Sequence, residues 1–334
     1  MRAIEVGDPS QVAEARRAAA KQAHLLGFEE EAAGRAALVA TELATNLSRH
    51  GGGGALLVGG FDDEGGAGLE LLSLDRGAGI ENVTASMRDG HSTAGSPGTG
   101  LGAVNRGADY MEIYSRPNAG TAILARLGRF TARDRHKLAL PAYGAVAVAV
   151  TGEDVSGDAW CRSVWDGGWT AMVADGLGHG PVAAEAATLA VRRFEGIERK
   201  PPGEVLAAMH AALRPTRGAA VSIAQFDAAA GQVVFAGVGN VAGALVGRNG
   251  DMRRMVSNNG TVGHIAKHMR AFTYPTAGMS LLIMASDGLL SGWRLDDYPG
   301  LLDCHPTLVA GVLYRDFSRG RDDVTVLVCQ LNGP

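Results

Sequence analysis

Cysteine is scarce in this chain: Cys161, Cys304 and Cys329 stand far apart and are odd in number. That excludes a disulfide-stapled scaffold. No Cys-X-X-Cys or His-rich spacing points to zinc or a redox couple either, so the three read as reduced core thiols. Aromatic residues amount to 5% of the chain. No apolar run approaches the ~18 residues that a membrane span needs. The first residues, MRAIEVGDPSQVAEARR, hold no apolar signal core, so the expectation is a cytoplasmic protein with no membrane association. A basic excess is missing too. Net charge is −4; residues 1–130 carry 12 Lys/Arg against 16 Asp/Glu, and the remainder carries 19 of each. Nucleic-acid binding draws on surplus positive charge, so no nucleic-acid partner is expected. A protein partner fits, as does a nucleotide whose charge is met locally.

What remains is a globular chain of 334 residues, 46% hydrophobic and 20% charged, long enough for two domains with separate cores. Its 48 glycines are about twice the usual ~7% share, so single glycines are weak evidence. The charged stretch TARDRHK at 131–137 separates two apolar patterns. It sets the expected boundary: a first domain over 1–130, a linker over 131–139 and a second domain over 140–334.

Four aspartates at the mouths of apolar strands are the main chemical signal. Asp158 follows the run AVAVAV at 145–150, Asp175 lies in TAMVADGLGHG, Asp287 ends SLLIMASD, and Asp322 with Asp323 opens RDDVTVLVCQL. Short apolar runs of this kind read as buried strands whose ends can bring distant carboxylates to one rim. Crowded carboxylates repel and raise each other's pKa unless cations lie between them. Hard divalent ions with oxygen ligands are the natural occupants, and two of them can hold a phosphate for in-line attack by water. An aspartate at a strand end is also a common turn residue, which is the plainer reading for any one of the four.

SGD at 156–158, VADGLGHG at 173–180, ASDG at 285–288 and DDVT at 322–325 occur in the order used by the type-2C-like metal-dependent protein phosphatases. They most resemble the bacterial SpoIIE subfamily of serine/threonine phosphatases. The resemblance implies that Asp158 and Asp175 hold one ion, that Asp175 bridges, that Asp287 and Asp322 hold the second, and that the Gly176 carbonyl is a further ligand. Asp323 is then a support for these ligands or an alternate one. The ions are two Mn²⁺ or Mg²⁺. Ser-Gly-Asp replaces the Gly-Gly-Asp usual in the first motif. Val238-Gly239-Asn240-Val241 stands where many members have Gly-His and prolines, a form similar to the small phosphatase that resets the stressosome. His179 reads either as a contact to substrate phosphate or as a solvated loop residue.

In the first half, residues 10–26 read as a helix with Ser10 as its cap, and a second helix spans about 29–49. Glu42 and Asn46 lie four apart on one face of the second. Strands follow at 55–61, 69–77, 111–117 and 121–127, with a Gly/Ser/Thr-rich loop at 88–100 before a short helix. Three polar clusters stand out: Glu42–Asn46, Asp75-Arg76-Gly77-Ala78-Gly79 and Gly98-Thr99-Gly100-Leu101-Gly102. Glycines that open a helix present free N–H groups to phosphates. Together these clusters resemble the GHKL superfamily of ATP-binding domains, and ELATNLSRHGGGG at 42–54 resembles the anti-sigma-factor-type serine kinases. The resemblance implies Glu42 as general base and Asn46 as Mg²⁺ ligand. It places Asp75 on adenine beside Gly77 and Gly79, Gly98, Thr99, Gly100 and Gly102 around phosphates under a lid at 88–98, and Thr121 on the adenine side. Arg49 either neutralises phosphate or is an exposed helix-end arginine. The tetraglycine Gly51–Gly54 reads as a flexible turn.

The expected fold is mixed α+β and α/β: a GHKL (Bergerat) α/β sandwich followed by a type-2C-like αββα sandwich. The expected function is a bifunctional switch, an ATP- and Mg²⁺-dependent serine kinase joined to a metal-dependent phosphoserine/phosphothreonine phosphatase. By the resemblance its partner is a STAS-domain protein, phosphorylated and unphosphorylated, with a sigma or anti-sigma factor as a further partner class. The rival reading keeps the phosphatase and makes the first half an anti-sigma binding module or nucleotide sensor without kinase activity.

Overall fold

A computed structural model describes residues 1–63, 66–86, 100–128, 143–266 and 269–331. Gly98, Thr99, the lid at 88–98 and the linker at 131–139 lie outside the described residues. The chain divides into two compact units, one of residues 1–142 with 303–315, the other of 143–302 with 316–334.

The first unit is built on an antiparallel sheet of β1 (Arg2–Val6), β2 (Gly54–Asp63), β3 (Gly66–Asp75), β4 (Tyr110–Ser115) and β5 (Thr121–Gly128), in the order β1-β2-β3-β5-β4. Its helices are α1 (Pro9–Leu25), α2 (Glu30–Arg49), α3 (Val83–Ser86) and α4 (Gly100–Gly107). The sequence reading missed β1, whose alternation is only two buried residues long, Ile4 and Val6. It also placed the α1 cap two residues late. Asp8 is the cap: its carboxylate accepts the Ser10 N–H at 2.8 Å, and the Gln11 side chain accepts the Asp8 N–H at 3.1 Å. This reciprocal box satisfies N–H groups that a helix start otherwise leaves bare.

Side chains alternate across a strand, and both faces of this sheet are buried. Leu56, Val58, Leu69, Leu71, Ile123, Ala125 and Leu127 pack with Val39, Leu43 and Leu47 of α2 and with the alanines of α1. The opposite set includes Leu57, Leu72, Leu74 and Leu124, all almost without solvent exposure. Residues 303–315 lie on that side. They hold most of a helix, Pro306–Phe317, in which a Cβ added at Gly311 would come within 2.5 Å of Leu72 Cδ2. The same face buries charge. Arg126 donates to Glu70 at 2.6 Å and to Asp63 at 2.7 Å, and Thr307 Oγ1 donates to Glu70 at 3.2 Å. Burial pushes the Glu70 carboxyl up while Arg126 pulls it down, so each charge is held by its partner.

The second unit stacks two antiparallel sheets. One holds β7 (Asp158–Trp165), β8 (Gly168–Gly176), β9 (Ala219–Asp227), β10 (Gln232–Val238) and β13 (Ala271–Pro275). The other holds β6 (Tyr143–Val148), β11 (Ala242–Val246), β12 (Met252–Arg254), β14 (Leu281–Ala285) and β15 (Val324–Gln330). Trp169, Val173, Phe235, Leu282, Met284 and Leu327 fill the space between them. The alternate residues Met172, Ala174, Val221, Ile223 and Val238 face outward onto α5 (Gly180–Phe194) and α6 (Pro202–Ala212). The helix Pro306–Phe317 is therefore α7.

Candidate functional site

In the first unit, Glu42 and Asn46 project from one face of α2 toward the start of α4. A Cβ at Gly100 would lie 3.1 Å from Asn46 Oδ1 and 3.6 Å from Glu42 Oε2. Glycine lets the helix start approach the acid and the amide, and Gly102 is buried behind it. Asn46 Nδ2 is buried with no hydrogen-bond partner, which leaves a polar group aimed into the same space. Such an orphan is costly unless something occupies it.

Asp75 ends β3. Its Oδ1 accepts the Gly77 N–H at 2.8 Å and the Thr121 N–H at 3.1 Å, so three of the predicted residues meet at one carboxylate. Thr121 is buried, and its hydroxyl lies 2.9 Å from Ser115 Oγ. Burial pushes the Asp75 carboxyl up, against the two N–H bonds and Arg315. Gly79 has φ +71, and a Cβ there would strike the Arg116 carbonyl, so only glycine fits. The tetraglycine is more than a turn. A Cβ at Gly51 would come within 2.8 Å of Asp75 Cβ, and one at Gly54 would strike the Leu74 carbonyl. The signal was legible as a glycine run directly after the Glu42–Asn46 helix, but its partner was not. Arg49 ends α2 and is exposed.

In the second unit, strand parity brings two of the carboxylates together. Asp175 has the parity of Trp169 and Val173, which face the inter-sheet core, and Asp158 pairs with it directly across β7 and β8. Ser286 and Thr325 continue the same inward rows of β14 and β15. Asp158, 8% exposed, is pushed up to about 7, chiefly by burial, with Asp323 and Asp322 adding to the effect and the Ser286 and Thr325 hydroxyls opposing it. Asp175 is pushed up to about 8 by burial first, then by Asp158, Asp287 and Asp322, while the Asp287 N–H bonds to it. Burial and Asp322 also raise Asp287, with Arg319 and Asn240 opposing. The four predicted aspartates are thus within electrostatic reach of one another at the mouth of the two-sheet core.

Asp323 lies beside them and is held differently. Its two oxygens accept the Val150 N–H at 2.8 Å and the Gly157 N–H at 2.7 Å, and its own N–H bonds to Asp322. Bonds of this kind are what a supporting role would use. Gly176 is packed so tightly that a Cβ would strike the Ala183 carbonyl. His179 precedes α5, is largely exposed, and pairs with Glu153 at 2.8 Å. The sequence reading quoted Ser286, Thr325 and Asn240 within motifs but gave none of them a role. Asn240 donates to Asp287 Oδ2 at 2.5 Å, and each of the three is a neighbour of a motif aspartate in sequence or space.

Asp158 Oδ2 is buried with no hydrogen-bond partner, and the donor set around it is oxygen only. Both features suit a hard divalent cation. Among the described residues no three Asp, Glu, His or Cys groups form a ready coordination cage. That is compatible with Mg²⁺, which commonly keeps several waters and takes one or two carboxylates. No helix among the described residues is long and apolar enough to cross a membrane.

Comparison with known proteins bears on each unit. A family model described as the histidine kinase-like ATPase domain matches residues 6–127, and one described as stage II sporulation protein E (SpoIIE) matches residues 165–332. The serine/threonine-protein kinase RsbT of Bacillus subtilis (strain 168) is 35% identical over 100 residues, which are 30% of this chain and 75% of that protein. A structure from work on the bacterial stressosome, as a modular system adapted to control secondary messenger signaling, is 26% identical with a TM-score of 0.51. It covers 56% of this chain and 97% of its own. RsbX in complex with magnesium is 22% identical with a TM-score of 0.48, over 56% of this chain and 94% of its own.

Proposed function

This chain belongs to the SpoIIE family and carries a GHKL-type, histidine kinase-like ATPase domain ahead of it, and on that basis we propose a bifunctional regulatory switch. In this reading the first unit phosphorylates a serine of a STAS-domain protein with ATP and Mg²⁺. The second hydrolyses phosphoserine or phosphothreonine, and the setting is sigma-factor or stress signalling in the cytoplasm. The observation that carries it is that both polar clusters are intact in one chain: Glu42 and Asn46 beneath Gly100, and Asp158, Asp175, Asp287 and Asp322 at one rim. The likeness to the RsbT kinase supports the first half of the reading.

Each residue has a part in the proposal. Asp75 has its second oxygen left to accept an adenine amine, since the first is taken by two N–H groups. Gly98, Thr99, Gly100 and Gly102 cradle phosphates, Asn46 holds Mg²⁺, and Glu42 takes the proton of the acceptor serine. In the second unit Asp158, Asp175, Asp287, Asp322 and the Gly176 carbonyl hold two Mn²⁺ or Mg²⁺. Bound ions supply an activated water and a clamp for phosphate oxygens. Asp323 fixes the backbone at Val150 and Gly157, and Asn240 orients Asp287.

The test uses wild type and Asp175→Asn with a STAS-domain protein, ATP and Mg²⁺, reading phosphoserine on the STAS protein by mass spectrometry. Phosphate accumulating with the variant but not with wild type is the expected result. Phosphate on neither would overturn the kinase half and turn the first unit into a binding or sensing domain. Loss of phosphate from a pre-phosphorylated substrate at the wild-type rate in Asp175→Asn would overturn the metal assignment.

A further inference from the structure

We infer that Arg315, from the far end of the chain, is a positioning residue of the nucleotide site and makes α7 the element through which the two activities communicate. The inference rests on the reading of the first unit as the ATP-binding domain. Both partners of the contact that carries it lie within that unit. Arg315 Nη1 donates to the carbonyl oxygen of Asp75 at 2.9 Å, across 240 residues of sequence. Arg76 returns the bond by donating to the Arg315 carbonyl. The peptide that follows the adenine aspartate is thereby locked to the last turn of α7.

Asp75 has little room to adjust without that lock. Its Oδ1 is committed to Gly77 and Thr121, Gly51 packs on its Cβ, and a Cβ at Gly120 would strike its carbonyl oxygen. Arg315 therefore holds the peptide carbonyl that joins Asp75 to Arg76, so the backbone under this carboxylate is fixed from α7 as well as from its own loop. The helix that brings Arg315 there is itself pinned. Gly311 lies against Leu72 and Leu74 of β3, Thr307 bonds to Glu70, and the His305 N–H donates to Glu112 at 2.8 Å. A helix fixed at its start and middle delivers its last turn to one place.

The same segment continues directly into the phosphatase motif. Arg315 falls within the stretch matched by the SpoIIE family model, and Asp322 follows seven residues later. Between them the Phe317 carbonyl accepts the Leu290 N–H at 2.9 Å, and the Arg319 N–H donates to the Gly288 carbonyl at 2.9 Å. Residues 317–319 are thus tied to the loop that follows Asp287. A nucleotide that shifts or stiffens Asp75 acts, through Arg315, on a segment whose other end carries ion ligands. Linkage makes this reciprocal: ion binding at Asp322 must alter nucleotide affinity by the same factor as nucleotide alters ion affinity.

The experiment measures a fluorescent ATP analogue binding to full-length wild type, Arg315→Ala, Arg315→Lys and Asp75→Asn. In parallel, Mn²⁺ half-saturation of p-nitrophenyl phosphate hydrolysis is read with and without a non-hydrolysable ATP analogue. The expected result is at least about fivefold weaker nucleotide binding in Arg315→Ala, the lower end of common coupling factors. Partial recovery is expected in Arg315→Lys, which keeps one donor for the carbonyl. The analogue should shift the Mn²⁺ half-saturation of wild type and leave that of Arg315→Ala unmoved. Equal nucleotide affinity in wild type and both Arg315 variants would overturn the positioning role. A wild-type Mn²⁺ dependence indifferent to nucleotide would overturn the communication. Failure of the ATP-site reading itself is distinguishable, because Asp75→Asn would then bind no more weakly than wild type. Should Arg315→Ala fail to fold, as judged by circular dichroism, Arg315→Lys carries the comparison.

Discussion

Two adjacent aspartates, Asp322 and Asp323, show how much the backbone decides at the scale of a residue. Both lie just ahead of β15, where no strand face assigns their direction, and the Asp322 carboxylate accepts the Asp323 N–H. Asp323, 3% exposed, spends its oxygens on the Val150 and Gly157 N–H groups. Asp175 receives one N–H and faces three other carboxylates. Their variants should therefore move stability in opposite directions. Asp323→Ala abandons two charge-assisted bonds worth about 1.5–3 kcal/mol each before relaxation, so a loss of about 3 kcal/mol is expected. Asp175→Asn removes a crowded charge and, in metal-free buffer near pH 8, should hold or raise the unfolding midpoint. Urea denaturation with EDTA checks both, and a wild-type midpoint for Asp323→Ala would show that its bonds contribute nothing.

At the scale of an element, α7 separates what composition marks from what packing decides. The run Pro306–Leu313 is buried throughout, so its sequence marks a core helix without saying which core. The structure groups residues 303–315 with the first unit, whereas the expected boundary set them in the second domain, 140–334. Gly311 is the contact that permits this approach to β3. Overfilling a close-packed contact typically costs about 1–3 kcal/mol, so Gly311→Val should lower the thermal midpoint accordingly. The contact would be discounted if Gly311→Val melted with the wild type. The apolar runs of β3, β5 and β8 were readable in the same way: buried strands were evident, and what covered each face was not.

For the molecule as a whole, the raised carboxylates dictate a pH dependence. Asp158 at about 7 and Asp175 at about 8 lie well above their ordinary 3.8. An acid whose pKa is raised by folding stabilises the fold while protonated. The metal-free protein should therefore be most stable below about pH 4 as far as these two groups are concerned, and lose that contribution as pH rises to about 8. Ions compete with the same protons, so apparent Mn²⁺ affinity should climb from pH 6 and level off above about pH 8. Calorimetry in two buffers of different ionisation enthalpy would register the released protons. An affinity flat from pH 6 to 8 would mean that Asp158 and Asp175 are not the groups the ion meets.

The order and spacing of SGD, VADGLGHG, ASDG and DDVT, and of the Glu42–Asn46 and Asp75–Gly79 clusters, carried the family and both folds from the sequence alone. They did so through resemblance to known families, while turn chemistry, helix faces and apolar runs, which act over a few residues, gave only the local elements. Tertiary structure alone decided which carboxylate oxygen is free and which is spent, as between Asp175 and Asp323. It also decided that Gly51 packs on Asp75 and that Arg315 reaches back 240 residues to the same aspartate. Those contacts depend on where whole elements come to rest, and no local periodicity encodes a hydrogen bond between two such distant segments.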